Sequence, residues 1–196
     1  MSDNRAEALH QKLGDAVKRG EVHKVHWLLA FGCADVGVRV DEYSELPGMA
    51  AFGGGVFRKI PLLAYVVQSI VYGRAGGRAR ARAAALRMVD VLLNINHLYG
   101  RYPGARLDDT FEIYDDHEDD AWLARDHNDY TFKIHEQLVE TTVEKYIKDE
   151  KQKLRPASPE AAFLGHVEEK MLLAKARHAL HHVKTWWGAR QTVSSL

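Results

Sequence analysis

The chain has 196 residues, 46% apolar and 28% charged, with 27 basic side chains balanced by 27 acidic ones. That length buries a core without disulfide or metal staples, and the apolar fraction is too high for a disordered chain. The sole cysteine, Cys33, excludes an internal disulfide framework and a cysteine-based zinc site, and it suits a reducing compartment.

The first 30 residues read as two helices. Ala6, Leu9, Leu13, Ala16 and Val17 recur at three- and four-residue steps and form one apolar stripe. Gly20 is placed to stop that helix, because glycine takes positive φ at little cost. A second short stripe, Val22, Val25, Trp27, Leu28 and Leu29, ends near Gly32. Residues 33–59 hold many glycines and few stripes, which reads as a long irregular loop or an extended hairpin. Pro61 then stands in the first turn of an apolar helix, with Leu62, Leu63, Val66, Val67 and Ile70 nearly all round it. Glycines at 73–77 break it, and 78–94 forms the next helix, ending in Met88, Val89, Val91, Leu92 and Leu93. Residues 105–129 are acidic and weakly patterned around Trp122. An amphipathic helix is expected over 130–150, and a long one from Ser158 and Pro159 to Trp187, opened by a side-chain cap and a proline at the first helical position. No segment alternates long enough to argue for a sheet, so the expected class is all-α.

Leu13, Asp15, Ala16, Val17, Gly20, Val22, Val25, Trp27, Leu28, Leu29 and Gly32 stand at the spacing of one helix pair. Ile60, Pro61, Leu62 and Leu63, followed by Leu86, Met88, Val89, Val91, Leu92, Leu93 and Asn96, follow the same logic. Together these segments resemble the ankyrin repeat, over roughly residues 9–96. The resemblance implies a stack of helix–turn–helix units, each with an apolar face that only a neighbour covers. It departs from the family in its spacing. Leu13 and Leu62 lie 49 positions apart, against a unit of about 33. Ile60 and Leu63 also replace the family's turn threonine and histidine. On this basis 1–104 is an ankyrin-like repeat region, 105–129 an acidic linker or degenerate repeat, and 130–196 a helical cap and tail.

Chemical motifs are sparse. His117-Glu118 and His135-Glu136 begin like a zinc-protease helix motif, but Ala121 and Val139 replace the second histidine. The acidic run at 115–120 lacks the glycine and the final glutamate of a calcium loop. Gly53, Gly54 and Gly55 lack the lysine and hydroxyl residue that end a phosphate loop. His178 and His182 stand at i, i+4 but need a third ligand from elsewhere. No catalytic residue, metal or cofactor is therefore assigned, and the chain reads as a non-enzyme.

Charge is segregated: residues 1–107 carry a net +6, 108–150 a net −11 and 151–196 a net +5. Arg74, Arg78, Arg80, Arg82 and Arg87 crowd one short segment, and a tryptophan pair, Trp186 and Trp187, stands near the end. Clustered guanidinium groups neutralise phosphates, acidic proteins or lipid headgroups, and tryptophans concentrate interface energy. These seven residues form the expected interaction surface. The reading is a non-catalytic protein-binding scaffold, an accessory or structural subunit of a larger complex. RNA contact through the arginine segment, as in a ribosome subunit, is the alternative. The longest apolar stretch, 60–72, contains Gln68 and Ser69 and falls short of the roughly 20 residues of a membrane span. Peripheral contact with a membrane complex is left open. No secretory signal is read at the start of the chain, so an intracellular location is expected, in the cytoplasm or an organelle interior such as the mitochondrion.

Overall fold

The computed structural model describes residues 3–45, 55–73, 78–95, 100, 102–114 and 138–193, with backbone alone for 3–4, 43–45, 55–57, 114, 178 and 180–193. Helices α1 (Asp3–Lys18) and α2 (Val22–Ala30) turn on Gly20, whose φ of 68° is the left-handed value that a side chain would resist. Strands β1 (Arg39–Glu45) and β2 (Gly55–Pro61) follow as an antiparallel hairpin, with Arg39 opposite Pro61 and Glu42 opposite Arg58. Pro61 ends β2 and caps the next helix, one position earlier than its expected place in the first turn. Helices α3 (Leu62–Val71) and α4 (Ala79–Leu93) form the second pair.

The end of α4 is built from side-chain hydrogen bonds. Asn94 takes a left-handed φ of 46° and is buried. Its Nδ2 donates to the carbonyls of Gly100 at 3.1 Å and Tyr102 at 2.5 Å, while the Tyr102 hydroxyl donates to the Val91 carbonyl at 2.6 Å. Gly104 lies so close to the Leu93 carbonyl that a Cβ there would meet it at 2.2 Å. The segment after α4 is thereby folded back against the helix end.

Strands β3 (Thr110–Tyr114) and β4 (Leu138–Thr142) make a second antiparallel hairpin, with Glu112 opposite Glu140. Helices α5 (Val143–Lys153) and α6 (Pro159–Val193) complete the chain. Thr142 caps α5 by accepting from the Lys145 N–H at 3.2 Å, and Ser158 caps α6 by accepting from the Ala161 N–H at 3.1 Å.

Two helix layers result. Helices α1, α3 and α5 contact in sequence, and α2, α4 and α6 lie behind them. Leu13, Val25, Ile60, Leu63, Val67, Val89, Leu92, Ile147 and Leu164 are fully buried in one continuous apolar cluster. α6 contributes to it as far as Ala174. Among the described residues no helix is long and apolar enough to cross a membrane.

Three expectations are corrected. The class is not all-α: two antiparallel two-stranded sheets join the helices. The chain is also not a pure helical ankyrin-repeat stack, because Arg39–Glu45 and Gly55–Pro61, between the first two helix pairs, form an antiparallel ladder seven residues long. The helix expected over 130–150 starts only at Val143. Before it, Leu138–Thr142 is strand, since Val139, Thr141 and Thr142 are β-branched and find a partner in β3. The description of the chain as an all-α ankyrin scaffold is withdrawn with these findings.

Candidate functional site

The hairpins stand side by side, with β2 next to β3. Arg39, at the base of the first, joins them. Its Nη2 reaches Asp109 Oδ1 at 2.7 Å and the Thr110 carbonyl at 2.6 Å. Beyond that contact lies a cleft of about 460 Å³. The first hairpin lines it with Arg39, Arg58 and Lys59, and the second with Thr110, Phe111, Glu112, Leu138 and Glu140. One wall is therefore basic in composition and the other carries carboxylates.

Most of the cations are already engaged. Arg58 Nη2 lies 3.3 Å from Glu42 Oε2 across the β1–β2 ladder, and the two side chains are only 10% and 16% exposed. Burial pushes the Glu42 carboxyl above its ordinary value, while the Arg58 charge and a Gln68 hydrogen bond draw it back. Lys59 stands across the same ladder from Asp41. Glu112 and Glu140 face each other across the second ladder, an arrangement that places like charges directly opposite.

Beneath the cleft runs a tyrosine–carboxylate network. Phe111 packs edge-on against Tyr146 with ring centroids 5.3 Å apart, which ties the second hairpin to α5. Burial drives the Tyr146 hydroxyl far above its ordinary range, reinforced by the charge of Glu150. Glu150 is itself buried, and it accepts from the Tyr72 hydroxyl and from Lys153 Nζ. Tyr65 is raised as well, by burial and by Glu42. Glu150, held by Tyr72 and Lys153, links α5 to the end of α3.

The structure places four of the expected site residues on α4 or at its N-cap. Arg78, Arg80 and Arg87 are exposed, and Arg82 is half-buried. Arg74 lies outside the described residues, as do the acidic run at 115–120 and the His117 and His135 motifs. Trp186 and Trp187 fall on α6 where the backbone alone is described, and so do His178 and His182. The arginine segment and the inter-hairpin cleft are thus separate features. Among the described residues no group of three or more histidine, cysteine, aspartate or glutamate side chains is arranged to hold a metal. Cys33 is exposed, at a left-handed φ of 56°.

The cleft residues Arg39, Arg58, Lys59, Glu112 and Glu140 were not legible as a group. The one local signal is the polar–apolar alternation of Thr110–Tyr114, five residues long. Family models, curated proteins and solved structures were all compared with the chain, and none matches it.

Proposed function

We propose that this chain is a non-catalytic protein-binding subunit that takes a segment of its partner into the inter-hairpin cleft. The supporting observation is the cleft itself. It is a concave space between two sheets, clamped at its base by Arg39 and lined by charged groups on both walls. Concave sites are where small ligands bind, and grooves likewise take extended segments of partner proteins. Charged walls of this kind favour selectivity and encounter rate more than raw affinity.

The test is the native mass of the tagged endogenous protein, with and without ribonuclease, followed by crosslinking through Lys59. An assembly well above the 22.2 kDa of the chain, resistant to ribonuclease and crosslinked at Lys59, is the expected result. A free monomer, or crosslinks confined to other faces, would overturn the reading.

A second reading has its own observation. Arg78, Arg80 and Arg82 surround the start of α4, where the first turn has no acidic residue and no side-chain cap. Cations there oppose the helix dipole, and an RNA phosphate would relieve that cost. If RNA is the partner, the triple change of Arg78, Arg80 and Arg82 to Gln should weaken retention on RNA and flatten its salt dependence.

A further inference from the structure

We infer that the second half of α6 is a docking surface for an acidic amphipathic helix of a partner protein. This surface shares no residue with the inter-hairpin cleft, whose described lining comes from the two hairpins.

α6 changes its apolar side along its length. At about 100° per residue, positions three and four apart share a face of a helix. Over the first half, Leu164, Val167, Met171 and Ala174 form the buried stripe. The opposite face is polar there: His166 and Glu169 are exposed, with His166 Nδ1 3.5 Å from Glu169 Oε2. From Leu172 the pattern inverts. The buried stripe would continue through positions 178 and 181, and both are histidine. On the opposite face Leu172 and Leu173 are 65% and 58% exposed, and Ala176 and Ala179 are exposed as well. Leu180, Val183 and Trp187 occupy the positions that continue this face along the helix backbone. Leu173, Ala176, Leu180, Val183 and Trp187 thus recur at steps of three, four, three and four residues. That spacing makes a seam which another helix covers. The seam begins where the contribution of α6 to the core ends, at Ala174.

Charge selects the occupant. No acidic residue follows Glu169, and residues 170–196 carry a net +5. Lys170 and Lys175 are engaged by Asp90 on α4 and Glu144 on α5. Arg177 is exposed and has no ion pair among the described residues. Arg177 and Lys184, seven positions apart, stand along one edge of the seam. A second copy would set two net-positive segments against each other, which like-charge repulsion opposes. A partner helix with glutamate or aspartate beside its own apolar stripe neutralises that edge and covers the seam. A lipid surface is matched less well. Helices that lie on anionic membranes are rich in lysine and arginine across the polar face, whereas here that face holds His178, His181, His182 and Thr185.

The experiment offers the full-length chain a displayed library of helix-forming peptides. Leucine is fixed at steps of three and four residues, and the flanking positions vary among glutamate, glutamine and lysine. Enriched peptides are then measured by fluorescence anisotropy. The expected peptides carry glutamate at the flanks. Leu173→Gln/Leu180→Gln should weaken them at least tenfold with the thermal midpoint unchanged, since Leu173 lies outside the core. Arg177→Glu/Lys184→Glu should lose the glutamate peptides and gain their lysine counterparts. No enrichment, or enrichment without a flank preference, would overturn the inference. A large fall in the thermal midpoint of the leucine variant would also overturn it, because the seam would then pack against the protein itself. A dimer in sedimentation velocity that the same variant dissolves would make the occupant a second copy instead. Tighter binding to phosphatidylglycerol–phosphatidylcholine vesicles than to any peptide would make it a lipid surface, and would equally overturn the assignment. None of these outcomes bears on the cleft, which crosslinking at Lys59 tests separately.

Discussion

Glu42 and Arg58 are 16 residues apart in the chain and become neighbours only through the ladder register. Little in the sequence marks them, because a glutamate and an arginine in a polar stretch read as solvated charges. In the folded chain they are mostly buried, and the consequence is a pH dependence. The Glu42 carboxyl is raised above its ordinary value of 4.5, with burial as the leading cause. A carboxyl raised by folding gives its full contribution to stability below its unfolded value and loses it as pH rises through the folded one. Glu144 has the opposite sign, because hydrogen bonds from Lys148 and Lys175 lower it, and its contribution is lost as pH falls. Glu42→Gln cannot ionise. Its stability relative to the parent chain should therefore improve as pH climbs from about 4 to about 7. Urea titrations of both proteins across that range measure the difference, and a constant difference would contradict the assignment.

At the level of elements, helices were the more legible. Their apolar spacing, the Gly20 stop and the Ser158–Pro159 start are local signals, and α1, α2, α3, α4 and α6 appear where those signals lie. The strands were less so: an extended hairpin is one of two readings of 33–59, where β1 and β2 lie, but β3 and β4 are not anticipated, because each is only five residues long and its partner is remote. β4 shows the ambiguity well. Leu138 and Thr141 fit a helical stripe with Tyr146 and Ile147, yet Phe111 and its neighbours supply a ladder that a helix cannot use. The last helix is the element that covers the back layer. Leu164, fully buried on α6, sits in the core shared with α4 and α5, where Lys170 also pairs with Asp90 and Lys151 with Glu168. Leu164→Ala should cost about 2–5 kcal/mol by removing apolar contact and leaving a cavity, read as a lower urea midpoint with far-UV helicity kept under native conditions. A loss below about 1 kcal/mol would mean that α6 is not part of the cooperative core.

Over the whole molecule, among the described residues, the large buried apolar side chains form one connected cluster, from Leu13 on α1 to Met171 on α6. Arg39 adds a polar link between the hairpins, and Glu150 links α5 to the end of α3. Among the described residues no helix pair has a core separate from its neighbours. Thermal unfolding should therefore be a single transition, with far-UV circular dichroism and tryptophan fluorescence coincident and the calorimetric and van't Hoff enthalpies equal. Two resolved transitions would show that the pairs unfold independently, as stacked units with weak interfaces do.

By itself the sequence determined five of the six helices, where most of them start and stop, and which of their faces are apolar; the sixth, α5, it began too early, before the strand Leu138–Thr142. Those properties depend on residues within a turn or two of one another. Tertiary structure alone decided the sheets, their register and the cleft between them. Arg39 meets Asp109, 70 positions further along the chain, and Tyr72 meets Glu150, 78 positions further. A local apolar pattern specifies that a face must be covered but not what covers it. A strand edge or an ion pair exists only once a distant segment has been brought beside it.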